Sequence, residues 1–119
     1  AWARSARAVI DGLRDEVRLA SAREVCLQPC LRDVRREHFL FVGDRLGGLV
    51  DYGAMGVDRV ALDLSRLLGD WIGPDREGRA EALAAYERIR PLPPAEVELI
   101  PILERAAAVL SGGRWVRWQ

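Results

Sequence analysis

The sequence predicts a mainly α chain with one small β-hairpin, and three observations carry that prediction. Apolar residues recur at steps of three and four over 2–21 and, in a wider stripe, over 57–72, which is the spacing of one helical face. Between these stretches, Phe39-Leu40-Phe41-Val42 runs into Gly43-Asp44-Arg45-Leu46-Gly47-Gly48, a short apolar run followed by turn residues. Beyond 72, prolines at 74, 91, 93 and 94 cut the remainder into helical lengths. With 119 residues the chain is long enough for one modest domain and one core.

Taken in order, Trp2, Ala6, Val9, Ile10, Leu13, Val17 and Ala20 form the first face, with Arg and acidic residues opposite, which predicts a helix over 2–21. Residues 24–38 change character. Pro29 is costly inside a helix, and Leu31-Arg32-Asp33-Val34-Arg35-Arg36-Glu37-His38 reads as a polar loop with a few apolar anchors. Residues 39–42 read as a short buried strand and Leu49-Val50 as its partner, ending at Asp51. Tyr52-Gly53-Ala54-Met55-Gly56 reads as a glycine-rich loop. A hairpin this small is no core by itself, so it must lie on the helices with its loops displayed at one end. Val57, Val60, Ala61, Leu64, Leu67, Leu68, Trp71 and Ile72 predict a helix over 57–72, with Asp58 as its N-cap or first-turn acid. Gly73-Pro74 stops that helix, and Pro74 opens another that runs to about Ile89. A last helix is expected from about Pro94 to Leu110, kinked at Pro101 and ended by Gly112-Gly113.

Composition narrows the chemistry. Bases and acids balance at 18 each, so net charge gives no reason to expect a nucleic acid or an anionic membrane as partner. All 18 bases are Arg, and Lys, Asn and Thr are absent. Chemistry that needs a flexible amine or an Asn carboxamide ligand cannot come from this chain. No apolar run is long enough to span a membrane. The two cysteines, Cys26 and Cys30, suit a reduced, cytoplasmic compartment. The start at Ala1-Trp2 and the end at Trp118-Gln119 both read as cuts within a longer protein.

The chemistry concentrates in the two loops that flank the hairpin. Asp33 precedes it, Asp51 follows it, and His38 opens its first strand. Because a hairpin brings its ends together, these three residues are expected around one small volume. Here the sequence resembles kinase-like phosphotransferases of the aminoglycoside phosphotransferase type, which carry a loop H-[GR]-D-x-x-x-x-N, a short hairpin and then D-F-G. The matching stretches are Leu31-Arg32-Asp33-Val34-Arg35-Arg36-Glu37-His38 and Leu49-Val50-Asp51-Tyr52-Gly53-Ala54. Asp63-Leu64-Ser65 stands where that family has D-L-A, and the similarity covers roughly residues 26–72.

The resemblance implies that residues 1–119 are the C-terminal lobe of a protein-kinase-like fold, with the N-terminal ATP-binding lobe outside this chain. It implies ATP-dependent transfer of phosphate to a hydroxyl of a small molecule. Asp33 would orient the acceptor hydroxyl and take its proton, Asp51 would hold Mg²⁺, and Asp63 would brace the loop through backbone hydrogen bonds. Such a reaction needs an aligned acceptor and cations where charge accumulates, and Mg²⁺ takes carboxylate oxygen. His38 stands where the family has a metal-binding Asn. Imidazole suits Mg²⁺ poorly, so His38 would coordinate another metal, hydrogen-bond a phosphate, or mark a site with one ion less; Glu37 beside it could supply an oxygen instead. Leu31 replaces the first His of the loop and Tyr52 replaces Phe. The family's phosphate-binding Lys would lie in the other lobe; a pseudokinase without turnover is the competing reading.

Blander readings stand beside these. Single loop aspartates are usually turn or cap residues, and a helical interaction domain with accidental Asp spacing is the second rival. The run Arg32, Arg35 and Arg36 is either a solvated loop or, at Arg35 and Arg36, a contact to ATP or acceptor phosphate. Cys26, Cys30 and His38 are one ligand short of a structural zinc site, and both cysteines are expected as small core residues. Trp115 and Trp118 are expected to pack against a missing remainder.

Overall fold

The computed structural model describes the backbone of residues 2–117 and the side chains of residues 4–111. In chain order the elements are α1 (Trp2–Ser21), β1 (Leu27–Cys30), a 3₁₀ turn (Arg36–His38), β2 (Phe39–Val42), β3 (Arg45–Leu49), β4 (Gly56–Arg59), α2 (Val60–Trp71), α3 (Arg76–Glu87) and α4 (Pro94–Arg117). The chain is mainly helical with two small antiparallel strand pairs, β1–β4 and β2–β3.

The core lies where α2 crosses α4. Val60, Ala61, Leu64 and Leu68 of α2 meet Leu99 and Ile100 of α4, with Leu92 and Ala20 closing the sides. The stripe on α2 is the predicted one from Val60 onward. Val57 and Asp58, however, belong to β4 rather than to the helix, and Val57 is exposed. Asp58 therefore caps nothing; the residue before α2 is Arg59, which makes no side-chain cap bond. Asp75 does cap α3, its carboxylate accepting the Glu77 N–H at 3.1 Å. α4 begins at Pro94, where a missing N–H costs nothing, and continues through Gly112-Gly113 to Arg117, so these glycines do not end it.

The first predicted face is largely unburied. Val9, Ile10 and Val17 are exposed, and among the described α1 residues Ala20 is the one that reaches the core. Ion pairs of Glu16 with Arg105 and of Arg23 with Glu98 tie this end of the chain to α4. The packing expected of Trp115 and Trp118 lies outside the described side chains.

The hairpin differs from expectation in two ways. Its second strand is Arg45–Leu49 rather than Leu49-Val50, because the turn takes only Gly43-Asp44. Gly43 has φ +60, as a type II′ turn needs at its first central position. Gly47 is the extra residue of a bulge, since Leu40 faces Gly48 while Phe41 faces Leu46. Moreover, β2 is not buried: Leu40, Phe41 and Val42 are exposed. A two-stranded sheet has one face to lay on the helices. Phe39 and Phe41 lay it on Trp71, with ring centroids 5.3 and 5.9 Å away.

The β1–β4 pair is new. Cys30 pairs with Gly56 and Leu27 with Arg59, closing residues 31–55 into one excursion that holds the hairpin. Pro29 is tolerated because β1 has a partner on one side alone.

Candidate active site

Asp33, Arg35, Arg36, His38 and Asp51 sit on this excursion, and Asp63 on the helix beneath it. Asp63, in the first turn of α2, accepts the backbone N–H of Leu31 through Oδ2 and that of Arg32 through Oδ1, both at 2.8 Å. The two bonds grip the chain just before Asp33. Arg32 itself has φ +66, a left-handed conformation that costs a non-glycine residue about 1 kcal/mol or more and persists where neighbours impose it. Its side chain runs over Gly56, where an added Cβ would stand 2.8 Å from Nη1, and reaches Asp58 at 3.5 Å.

Asp33 is one-third exposed. Its Oδ1 accepts from Arg35 Nε and from Arg66 Nη1, each at 3.2 Å. The hydrogen bond to Asp33, aided by its charge, makes Arg35 hold its proton more tightly than usual. Val34, next along, is buried and anchors the loop. Arg36 turns its N–H to Asp70 Oδ2 at 2.6 Å, at the far end of α2.

His38 and Asp51 come together as expected from the hairpin. The Val50 N–H donates to the His38 carbonyl at 3.0 Å, which closes the base of the hairpin. The side chains then stand 3.6 Å apart, Nε2 to Oδ2, an ion pair when the imidazole is protonated and too long for a direct hydrogen bond. His38 is nearly buried and Asp51 largely exposed. Asp51 also has φ +66. Both loops of the site therefore carry a strained residue, at Arg32 and at Asp51. Beyond Asp51, the Tyr52 hydroxyl donates to the Leu49 carbonyl at 2.8 Å and the Met55 N–H to the Tyr52 carbonyl at 3.0 Å, so the glycine-rich stretch is a turn.

A divalent cation fits this donor set in a limited way. Asp51 offers exposed carboxylate oxygens, the donor that Mg²⁺ prefers, while His38 offers a nitrogen that it does not. Among the described residues no three His, Cys, Asp or Glu side chains converge on one point. Mg²⁺ usually keeps several waters and takes further oxygens from phosphate, so one carboxylate suffices as a protein anchor. The cysteines are not a matched pair of core residues. Cys30 is buried, with its thiol 3.4 Å from the Asp58 carbonyl, but Cys26 is exposed.

Sequence reasoning missed Arg66 and Asp70. They follow Asp63 at steps of three and four, which puts all three on one helical face. That spacing was the available signal.

The family model of the phosphotransferase enzyme family (APH) matches residues 2–99. Over 82 residues the chain is 40% identical to a homoserine kinase of Methylobacterium radiotolerans and 38% identical to one of Parvibaculum lavamentivorans. A homoserine kinase of a further Methylobacterium strain is 37% identical over the same length. Each match takes in 65% of this chain and 26% of the relative, so the chain spans about a quarter of the length of the relatives it matches. No described helix is long and apolar enough to cross a membrane. The family match extends across most of the sequence, and the chain belongs to the phosphotransferase enzyme family.

Proposed function

We propose that the protein containing this chain is a small-molecule kinase, transferring the γ-phosphoryl group of ATP to a hydroxyl. The observation that carries this reading is the pair of hydrogen bonds that the Leu31 and Arg32 N–H groups donate to Asp63, which fixes the loop immediately before Asp33. On this reading the chain is the C-terminal lobe of a protein-kinase-like fold, and a separate N-terminal lobe contributes to ATP binding. Asp33 orients the acceptor hydroxyl and takes its proton. Asp51 anchors Mg²⁺, which when bound would neutralise charge on the phosphate oxygens. His38 supports Asp51 from 3.6 Å, and its imidazole is a poorer Mg²⁺ ligand than the carboxylate. Arg35 and Arg36 would contribute positive charge to a phosphate of ATP or acceptor, and a cytoplasmic location would supply the ATP. The relatives' names make amino acids with a side-chain hydroxyl, homoserine first, the acceptors to try before aminoglycosides.

The test is phosphate transfer by the full-length protein with Mg·ATP and a panel of homoserine, other hydroxyl amino acids, amino alcohols and aminoglycosides. Acceptor-dependent transfer that falls by at least about 100-fold in Asp33→Ala is the expected result, since a positioned base is worth ~10²–10⁴. Absence of transfer from a folded full-length protein, or turnover indifferent to Asp33, would reject the reading.

A further inference from the structure

Helix α2 grips the Asp33 loop at three successive points. Asp63 holds the N–H groups of Leu31 and Arg32, Arg66 meets the Asp33 carboxylate, and Asp70 holds the N–H of Arg36. The family resemblance accounts for Asp63 and is silent on the other two. Arg66 differs from both neighbours because it touches the side chain of Asp33 rather than the loop backbone. It shares one oxygen, Oδ1, with Arg35. No described residue donates to Oδ2.

The two arginines are not equivalent. Arg35 is two residues from Asp33 on the same loop and moves with it. Arg66 rises from α2 next to Leu64, Ser65 and Leu68, all buried in the core. A guanidinium fixed to that frame limits rotation of the carboxylate in a way that a loop neighbour cannot. Its own side chain is 41% exposed, so the pair adds little to folding; its effect is geometric.

We propose that Arg66 is a positioning residue for the phosphoryl transfer put forward above, holding Oδ1 so that Oδ2 is the atom that takes the acceptor proton. The inference rests on that kinase reading. In the step, the proton of the acceptor hydroxyl passes to Oδ2. The acceptor oxygen forms a bond to the γ-phosphorus while the bond from that phosphorus to the β,γ-bridging oxygen breaks, its electron pair leaving on ADP. With Oδ1 occupied by two guanidinium donors, Oδ2 keeps its lone pairs for the proton. Asp63 and Asp70 fix the loop on either side, so the carboxylate's own torsions are what remains for Arg66 to restrict.

The experiment compares wild type, Arg66→Gln and Arg66→Lys in the full-length protein, reading kcat, KM for Mg·ATP, KM for the best acceptor, and melting temperature. A misaimed base should cost about 10- to 100-fold in kcat. The expected result is that loss in Arg66→Gln with both KM values within about twofold, an unchanged melting temperature, and partial recovery in Arg66→Lys. An unchanged kcat in Arg66→Gln would overturn the inference and leave the kinase reading intact. A rise in acceptor KM with kcat preserved would also overturn it, since Arg66 would then bind substrate. Arg66→Lys no better than Arg66→Gln, with the melting temperature lowered in both, would reduce Arg66 to a structural residue. If wild type itself transfers nothing, the kinase reading fails first and the positioning role falls with it.

Discussion

Replacing Asp63 by Asn tests the brace with the smallest change of shape. The carboxylate accepts two backbone N–H groups at 2.8 Å, one on each oxygen. A carboxamide has one acceptor oxygen, so one bond survives in neutral form and the other N–H faces an NH₂ donor. A hydrogen bond to a charged group is worth about 1.5–3 kcal/mol. Losing one, and weakening the other, should lower the local stability of the loop by ~2–3 kcal/mol. The left-handed Arg32 adds to the tendency to open once its N–H is released. At about 1.4 kcal/mol per tenfold, amide exchange at Leu31 and Arg32 should quicken by roughly 30- to 150-fold. The assay is hydrogen–deuterium exchange read by mass spectrometry on peptides spanning 27–36. The Arg36 amide, held by Asp70, serves as internal reference and should change far less. Exchange at 31–32 within about threefold of wild type would refute the argument that these two bonds hold the loop, and equal acceleration across the whole chain would show that Asn acts on global stability instead.

Glu96 is fully buried and pairs with Arg90 at 2.9 Å, with its second oxygen unpartnered. Arg90→Met, which strands a buried carboxylate, should therefore cost about 3–5 kcal/mol, more than Glu96→Gln, which leaves Arg90 free to reach water; urea denaturation of both variants checks the order. Burial, followed by the charges of Asp63 and Asp58, pushes the Cys30 thiol above its ordinary range. A raised folded value means that this contribution to stability is present below about pH 8.5, where the unfolded thiol titrates, and is lost as pH rises through the folded value. The urea midpoint should thus fall between about pH 8 and 10 less in Cys30→Ala than in wild type, and iodoacetamide should label Cys26 well before Cys30.

The parts of the fold that announce themselves are those written in local periodicity. The apolar stripe from Val60 to Leu68 needed only local periodicity, and turn residues marked the hairpin, although 43–48 read as turn where Gly43-Asp44 alone makes it. The β1–β4 pair did not. Each strand is four residues, one contains Pro29 and the other begins at Gly56, and their pairing depends on residues far apart in sequence. Val57 and Asp58 fit the continuing helical period equally well, so β4 was absorbed into α2. The same limit applied at the site. His38 and Asp51 were legible because a hairpin must join its ends, and the resemblance pointed to Asp63. Arg66 and Asp70 lie on the polar side of an amphipathic helix, where a charge normally faces water. Only the fold shows that this side faces the Asp33 loop.

The pairing of Cys30 with Gly56 also decides where the chain can change in length. Residues 31–55 leave and re-enter the fold at one point, so their contour is already closed. Making that closed contour half as long again would cost only about 0.4 kcal/mol of closure entropy. The Gly43-Asp44 tip takes no part in the Asp63, Arg66 and Asp70 contacts and can therefore accept inserted residues or a grafted peptide. One residue added between Leu31 and Arg36 would break the register with Asp63, Arg66 and Asp70 together. Length variation and epitope grafting belong at the tip, while the segment over α2 has a fixed length.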